Sequence, residues 1–150
     1  MRAGEAEAPP GRVRARGIPL GFFSGLPGRR PRPARDAGPL GAATRARGES
    51  DEPELLAYLR AGLLLHTERA ALPDALAPHT PPLTRAASLL TDGTWVWRLD
   101  LAHYVARAHV RLPVDFLSAV RARAYVPPEV DAERLAALRA HWAHRAHRAP

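Results

Sequence analysis

Leu89-Leu90-Thr91-Asp92-Gly93-Thr94-Trp95-Val96-Trp97-Arg98 is the stretch that decides the fold of this chain. Asp-Gly is the strongest short signal for a hairpin turn, because both central residues of that turn must accept positive φ. Apolar residues flank it on both sides and predict two antiparallel strands. Side chains alternate along a strand, so Trp95 and Trp97 share one face and Val96 lies on the other. The stretch therefore predicts a β-hairpin with a tryptophan-bearing face.

Leucines at helical spacing precede the hairpin. They recur at steps of three and four after Asp51, which suits an N-cap, and they predict a core-facing helix over residues 51–66. Gly62 weakens the last turns of this helix, and the alternative for Leu63-Leu64-Leu65 is a partly extended segment. Four prolines between Arg69 and Arg85 then predict a connecting loop. The leucines of the stripe are Leu55, Leu56, Leu59 and Leu63.

Three more helices are predicted after the hairpin. The first opens at Asp100, and the second begins at Pro113, which is a favoured first-turn residue. The third runs from about residue 128 to residue 147. Their expected inward-facing residues are Leu101, Tyr104, Val105 and Ala108, then Phe116, Leu117 and Val120, and finally Leu135, Leu138 and Trp142.

The first third of the chain has a different composition. Residues 1–48 hold nine Gly and seven Pro, and ten Arg against Glu5, Glu7 and Asp36, a net charge of +7. Residues 49–150 hold two Gly and twelve Arg against twelve acidic residues. A segment with the composition of residues 1–48 buries too little apolar surface to offset the entropy of ordering. We therefore predict a disordered tail over 1–48, or a start codon placed too far upstream, and an α+β domain over 49–150 with about four helices packed on the short hairpin.

Composition also excludes several classes of protein. The chain has no cysteine, which excludes a disulfide framework, a thiolate nucleophile and a thiolate metal site. No apolar run approaches the roughly 18 to 20 residues that span a bilayer, and the run from Ile18 to Leu26 is too interrupted for a signal peptide. We expect a cytoplasmic protein that does not act at a membrane. The chain has no lysine and is rich in alanine and arginine, which is the residue usage that GC-rich codons produce. Its many arginines are therefore weak evidence for nucleic-acid binding.

The hairpin string resembles a family of small, uncharacterised actinobacterial proteins. The resemblance covers about residues 54–128 and combines Tyr58-Leu59-Arg60-Ala61-Gly62-Leu63 with Thr91-Asp92-Gly93-Thr94-Trp95-Val96-Trp97 and the Leu101-Ala102-His103-Tyr104-Val105 helix. That family has no established activity, so the resemblance implies no functional residue.

Three sets of side chains are candidates for chemistry. The first is His141, His144 and His147, which lie at steps of three near the C-terminus, although the outer two diverge by about 120° around a helix. The second is Asp100 with His103, a carboxylate three residues from an imidazole, with Asp92 in the turn, although a third catalytic group is missing. The third is a set of arginines that would have to form a phosphate-binding stripe, in Arg107, Arg111, Arg121, Arg123, Arg134 and Arg139. We interpret the three sets as surface, capping and solvated residues respectively, and we expect no metal, cofactor or catalytic residue.

By elimination, we expect a non-enzymatic protein-interaction module, of the adaptor or toxin-neutralising type, with an unknown protein partner. This interpretation predicts a surface apolar patch that includes Trp95, Trp97 and Tyr104, although core packing is the better explanation of the two tryptophans. The alternative is weak nucleic-acid binding through the arginine-rich tail. The residues that would carry it are Arg12, Arg14, Arg16, Arg29 and Arg30.

Overall fold

The structure, a computed structural model, describes residues 16–28 and 37–146. Within these residues the chain forms a four-stranded sheet and five helices. The α+β class is confirmed, but the sheet has two strands beyond the predicted hairpin and there are five helices instead of about four. The strands are β1 (Ile18–Pro19), β2 (Leu63–His66), β3 (Leu89–Thr91) and β4 (Trp95–Arg98), in the spatial order β1-β4-β3-β2. The helices are α1 (Leu40–Ala43), α2 (Glu52–Arg60), α3 (Leu101–Ala108), α4 (Val114–Ala122) and α5 (Ala132–Ala146). No helix of this described part is long and apolar enough to cross a bilayer.

The predicted hairpin is present as the antiparallel pair β3–β4, with Leu90 opposite Trp97 and Thr91 opposite Val96. Its connection differs in one respect from the expected turn, since Gly93 has a φ of 95° but Asp92 is not among the positive-φ residues. Asp92 instead accepts hydrogen bonds from the backbone N–H of Thr94 and Trp95, at 3.0 and 2.8 Å. The aspartate side chain therefore holds the connection closed, and only the glycine needs the left-handed conformation.

The sheet is covered on both faces, which explains why all four residues of β4 are buried. Trp95 and Trp97 belong to the larger core, shared with residues of α2, α3 and α4, whereas Val96 belongs to a smaller core with Leu138 and Trp142 of α5. The predicted alternation along β4 is thus confirmed. A strand buried on both faces reads as a continuous apolar run.

The N-terminal third is more ordered than its composition predicts. The prediction of disorder throughout 1–48 is wrong for residues 16–28 and 37–48. Strand β1 pairs in parallel with β4, with Ile18 opposite Trp95, and the core includes Leu20, Phe22, Phe23, Leu26 and Leu40. These apolar side chains are few, but they pack against residues that lie far along the chain. Composition alone does not reveal such long-range contacts. The expectation for residues 1–15 and 29–36 lies outside the described residues.

The helix predicted over 51–66 was too long, and the extended alternative for its end is correct. Helix α2 ends at Arg60, and Leu63–His66 form the edge strand β2, paired with β3. The break occurs at Gly62, where a Cβ atom would lie 2.6 Å from Cζ2 of Trp97. Only glycine lets the backbone approach the indole this closely.

The other helices match their predictions with shifted ends. Helix α4 begins one residue after Pro113, and α5 begins at Ala132 rather than near residue 128. Asp51 and Asp100 occupy N-cap positions as expected, but neither side chain caps its helix. Asp51 instead accepts bonds from Arg121 and Tyr125, and Asp100 from Arg98.

Candidate functional site

The predicted surface patch of Trp95, Trp97 and Tyr104 is not on the surface. These side chains are 8%, 1% and 1% exposed, and the ring of Phe116 packs edge-on against both indoles. The indole N–H of Trp97 donates to the carbonyl of Leu59 at 3.1 Å, so its polar atom is satisfied inside the core. The assignment of these three residues to a binding surface is therefore wrong, and the core-packing interpretation is correct.

A different apolar surface is open. A groove of about 400 Å³ lies between the segment around Phe23, the short helix α1 and the connection from α3 to α4. We refer to it as the apolar groove. It is lined by Gly21, Phe23, Ala37, Pro39, Ala42, Ala43, Arg111, Leu112, Pro113 and Val114. Its volume falls within the range of small-ligand and peptide side-chain sites.

The groove has a buried floor and exposed walls. Phe23 and Leu112 are each 4% exposed and form part of the core, whereas Val114 is 75% exposed. The side chain of Val114 is the most exposed of the large apolar side chains described. The groove thus combines a buried apolar floor with an apolar side chain that the fold leaves exposed.

Backbone hydrogen bonds hold the two walls together. The N–H of Arg111 donates to the carbonyl of Ala43 at 2.9 Å, and the N–H of Arg45 donates to the carbonyl of Ala108 at 2.9 Å. The Arg45 side chain adds a bond to the carbonyl of His109 at 2.8 Å. The groove is consequently preformed, and little ordering entropy opposes its occupation.

Arg111 is the single charged residue among the ten that line the groove. Its side chain is exposed and makes no hydrogen bond or ion pair with the described residues. Three arginines of the domain are held by protein groups: Arg121 binds Asp51, Arg134 binds the Gly93 carbonyl and Arg139 binds the Leu64 carbonyl. Arg107 and Arg123 resemble Arg111 in making no side-chain bond with the described residues, but they do not line the groove.

A second polar arrangement lies under the loop of residues 69–85. We refer to Asp74, Arg98, Asp100, His103 and Tyr104 as the loop cluster. His103 Nε2 lies 2.6 Å from Oδ2 of Asp74, and the hydroxyl of Tyr104 accepts the N–H of Ala75 at 2.9 Å. Asp74 is buried and His103 is partly exposed. Burial opposes ionisation of Asp74, but the N–H of Leu76 and the His103 ring outweigh it and hold the pKa of Asp74 below its ordinary value.

The predicted pairing of Asp100 with His103 is not formed. Asp100 is bonded instead by Arg98, through Nε at 3.1 Å and Nη2 at 2.8 Å, and both side chains are at least 98% buried. Burial raises the pKa of Asp100, against the opposing charge of Arg98. Nη1 of Arg98 is the one buried side-chain nitrogen or oxygen of the described part without a hydrogen-bond partner. Asp92 lies in the hairpin, where it accepts the Tyr58 hydroxyl at 2.6 Å.

The loop cluster has a structural explanation. His103 and Tyr104 are adjacent on α3, and both bind the turn that begins at Asp74, so together they fasten the loop to the helix. No described hydroxyl is bonded to His103, and Ser88 is engaged with Glu68. The arrangement orients an imidazole, but it lacks the nucleophile that a hydrolytic site needs. Residue spacing could not identify Asp74 as the partner, because it lies in a loop 29 residues from His103.

The remaining candidates are dispersed. The six arginines of the predicted stripe lie on both sides of the sheet, since α5 packs on one face and α3 with α4 on the other. The described part contains no group of three or more metal-ligating side chains, but His147 lies outside it and the side chain of His144 is not described. Of the tail arginines, Arg16 is exposed, and Arg12, Arg14, Arg29 and Arg30 lie outside the described residues.

Comparison of the chain with protein-family models, with curated proteins and with solved structures gave no match.

Proposed function

We propose that this chain is a non-enzymatic protein-interaction module that binds a segment of its partner in the apolar groove. The proposal keeps the adaptor or toxin-neutralising type expected from the sequence. The single observation that carries the proposal is the groove itself, a preformed apolar surface of about 400 Å³ with an exposed valine on its wall. The docking surface differs from the one expected from the sequence, because the tryptophans are in the core.

The lining favours a protein segment over the other classes considered. Nine of the ten lining residues are apolar or glycine, which suits burial of aliphatic or aromatic side chains. Nucleic acids are bound mainly through several phosphates, and a single arginine in an apolar wall offers too little positive charge for this purpose. Catalysis would require reactive groups in the groove, and its lining contains no His, Asp, Glu, Ser or Tyr.

The experiment is a selection of displayed random dodecapeptides against the full chain, followed by measurement of each selected peptide by fluorescence anisotropy. Ala42→Gln places a longer polar side chain in the groove, and we expect it to weaken binding at least tenfold. Ala137→Gln is the matched control, because Ala137 is an exposed helical alanine of α5 outside the groove. We expect the control to bind as the wild type does.

Two results would contradict the proposal. One is that no selected peptide distinguishes Ala42→Gln from Ala137→Gln. The other is that amide chemical shifts on peptide addition move around α5 and leave Phe23, Ala43 and Leu112 unchanged.

A further inference from the structure

We infer that the segment bound in the apolar groove carries a carboxylate, and that Arg111 recognises it. This inference rests on the proposed function and adds the chemistry of the partner: a short apolar peptide segment with one Asp or Glu. The starting observation is that the groove places one guanidinium beside an otherwise uncharged lining.

The guanidinium of Arg111 is not bound by any residue of 16–28 or 37–146. Its backbone N–H is held by the carbonyl of Ala43, which fixes the position of the residue, while the side chain makes no bond with the described part of the chain. An arginine presents a planar fork of donors that matches a carboxylate.

Charge complementarity at the groove comes from Arg111 itself. The formal net charge of +7 lies in residues 1–48, whereas residues 49–150 carry as many acidic as basic residues, so the attraction of an acidic segment to the groove is local. A phosphate-bearing polymer would be attracted by the same guanidinium, but it would leave the apolar floor of Phe23 and Leu112 without a matching surface. A second copy of this chain is an outcome that the test distinguishes.

The test uses an array of octapeptides built from Leu, Val, Phe, Pro and Ser, synthesised in pairs that differ only by one Asp against one Asn. Affinities are measured for the full chain by anisotropy at low ionic strength. We expect the Asp member of the binding pairs to bind about fivefold more tightly, the scale of a partly exposed ion pair. The preference should fall as salt is added, because salt screens exposed charges.

Arg111→Gln should bring the ratio of the Asp and Asn affinities, measured on the same variant, close to one. Arg107→Gln is the matched control, since Arg107 is also exposed and unpaired with the described residues but does not line the groove. The control should keep the fivefold preference. Thermal unfolding of both variants verifies that each is folded.

The outcomes separate the inference from the function on which it rests. If peptides bind in the groove but Asp and Asn members bind equally, the inference is overturned and the proposed function stands. If no peptide binds in the groove, both are overturned. A single-stranded oligonucleotide that displaces the peptides, and whose binding is lost in Arg111→Gln, would show that the acidic peptide is the wrong occupant. Self-association through the groove, measured by sedimentation, would show the same.

Discussion

At the scale of single residues, the fold depends on close approaches that allow no substitute. Gly62 lies against the indole of Trp97 and the Cβ of Leu90, to which an added Cβ would come within 2.6 and 3.0 Å. Trp97 is 1% exposed, and its indole N–H is bonded to the Leu59 carbonyl, so the ring cannot easily move away from an added Cβ. Overpacking in such a place costs more than the entropy gained by removing a glycine.

Gly62→Ala should therefore lower the free energy of unfolding by about 1 to 3 kcal/mol. Gly41→Ala is the matched control, because Gly41 is an exposed residue of α1 with no atom within 4 Å of the added Cβ. The control should be neutral or gain up to about 1 kcal/mol from helix propensity. Urea denaturation measures both, and equal effects at the two positions would contradict the packing argument.

The buried pair Arg98–Asp100 leads to a second expectation at this scale. Removing one partner leaves an uncompensated buried charge, so Arg98→Ala should cost about 3 to 5 kcal/mol. Replacing both residues, as Arg98→Met with Asp100→Leu, removes the desolvation of two charges and the orphaned Nη1 together. It also removes no helix cap, since Asp100 makes none. The double variant should be more stable than Arg98→Ala in urea denaturation, and a loss equal to the sum of the single effects would refute this account.

Asp51 gives an expectation for pH. The hydrogen bonds from Arg121 hold the pKa of Asp51 far below its ordinary value. Partial burial opposes this lowering of the pKa, and the bond from the Tyr125 hydroxyl adds to it. A carboxylate with a depressed folded-state pKa stabilises the fold above the unfolded-state pKa, which is about 4, and loses this contribution as the pH falls below it. Arg121→Gln should therefore lower the thermal midpoint at pH 7, and its difference from wild type should shrink between about pH 4 and pH 2.

Thermal unfolding across this pH range, with Arg107→Gln alongside, measures the effect. Arg107 has no ion pair with the described residues, so its variant should differ little from wild type at any pH. A constant deficit for Arg121→Gln down to pH 2 would show that the effect does not come from Asp51.

At the scale of elements, residue spacing predicted the helices and the turn whose positions depend on neighbouring residues. The Asp92-Gly93 turn, the alternation of Trp95 and Val96 and the helices after Asp100 and Pro113 were all recognisable from residue spacing. The end of α2 was only partly predictable. Gly62 marked it, but the reason for the break is a tryptophan 35 positions later.

The candidate site was less predictable than the helices. Phe23, Ala43 and Leu112 come together through backbone bonds between α1 and the α3–α4 connection, and none of these residues stands out in the sequence. Aromatic residues drew attention to the hairpin instead, because large apolar side chains suit a core and a binding surface equally well. Exposure, which separates the two uses, follows only from the tertiary arrangement.

At the scale of the whole molecule, the N-terminal segment is a structural part of the domain. Removing residues 1–28 would strip β1 and the side chains of Leu20, Phe22, Phe23 and Leu26 from the two cores. Each large-to-small loss in a core costs about 2 to 5 kcal/mol, and a domain has only about 5 to 15 kcal/mol in total. We expect the shortened chain to show no cooperative transition on heating, monitored by near-ultraviolet circular dichroism.

A chain lacking only residues 1–15 is the control. It keeps every contact described above, and we expect it to unfold cooperatively. A shortened chain that begins at residue 29 and still melts in one sharp transition would show that the packing of residues 16–28 contributes little.

The carbonyl of Arg16 accepts the indole N–H of Trp142, a contact that spans 126 residues of chain. A ribosome that adds about 5 to 20 residues per second needs roughly 6 to 25 s to synthesise the intervening polypeptide. Throughout that time Phe22, whose ring stacks on that same indole at 5.6 Å, lacks its neighbour. The smaller core around Phe22 and Trp142 is thus expected to close later in synthesis than the pairing of β1 with β4, which needs residues only up to Val96.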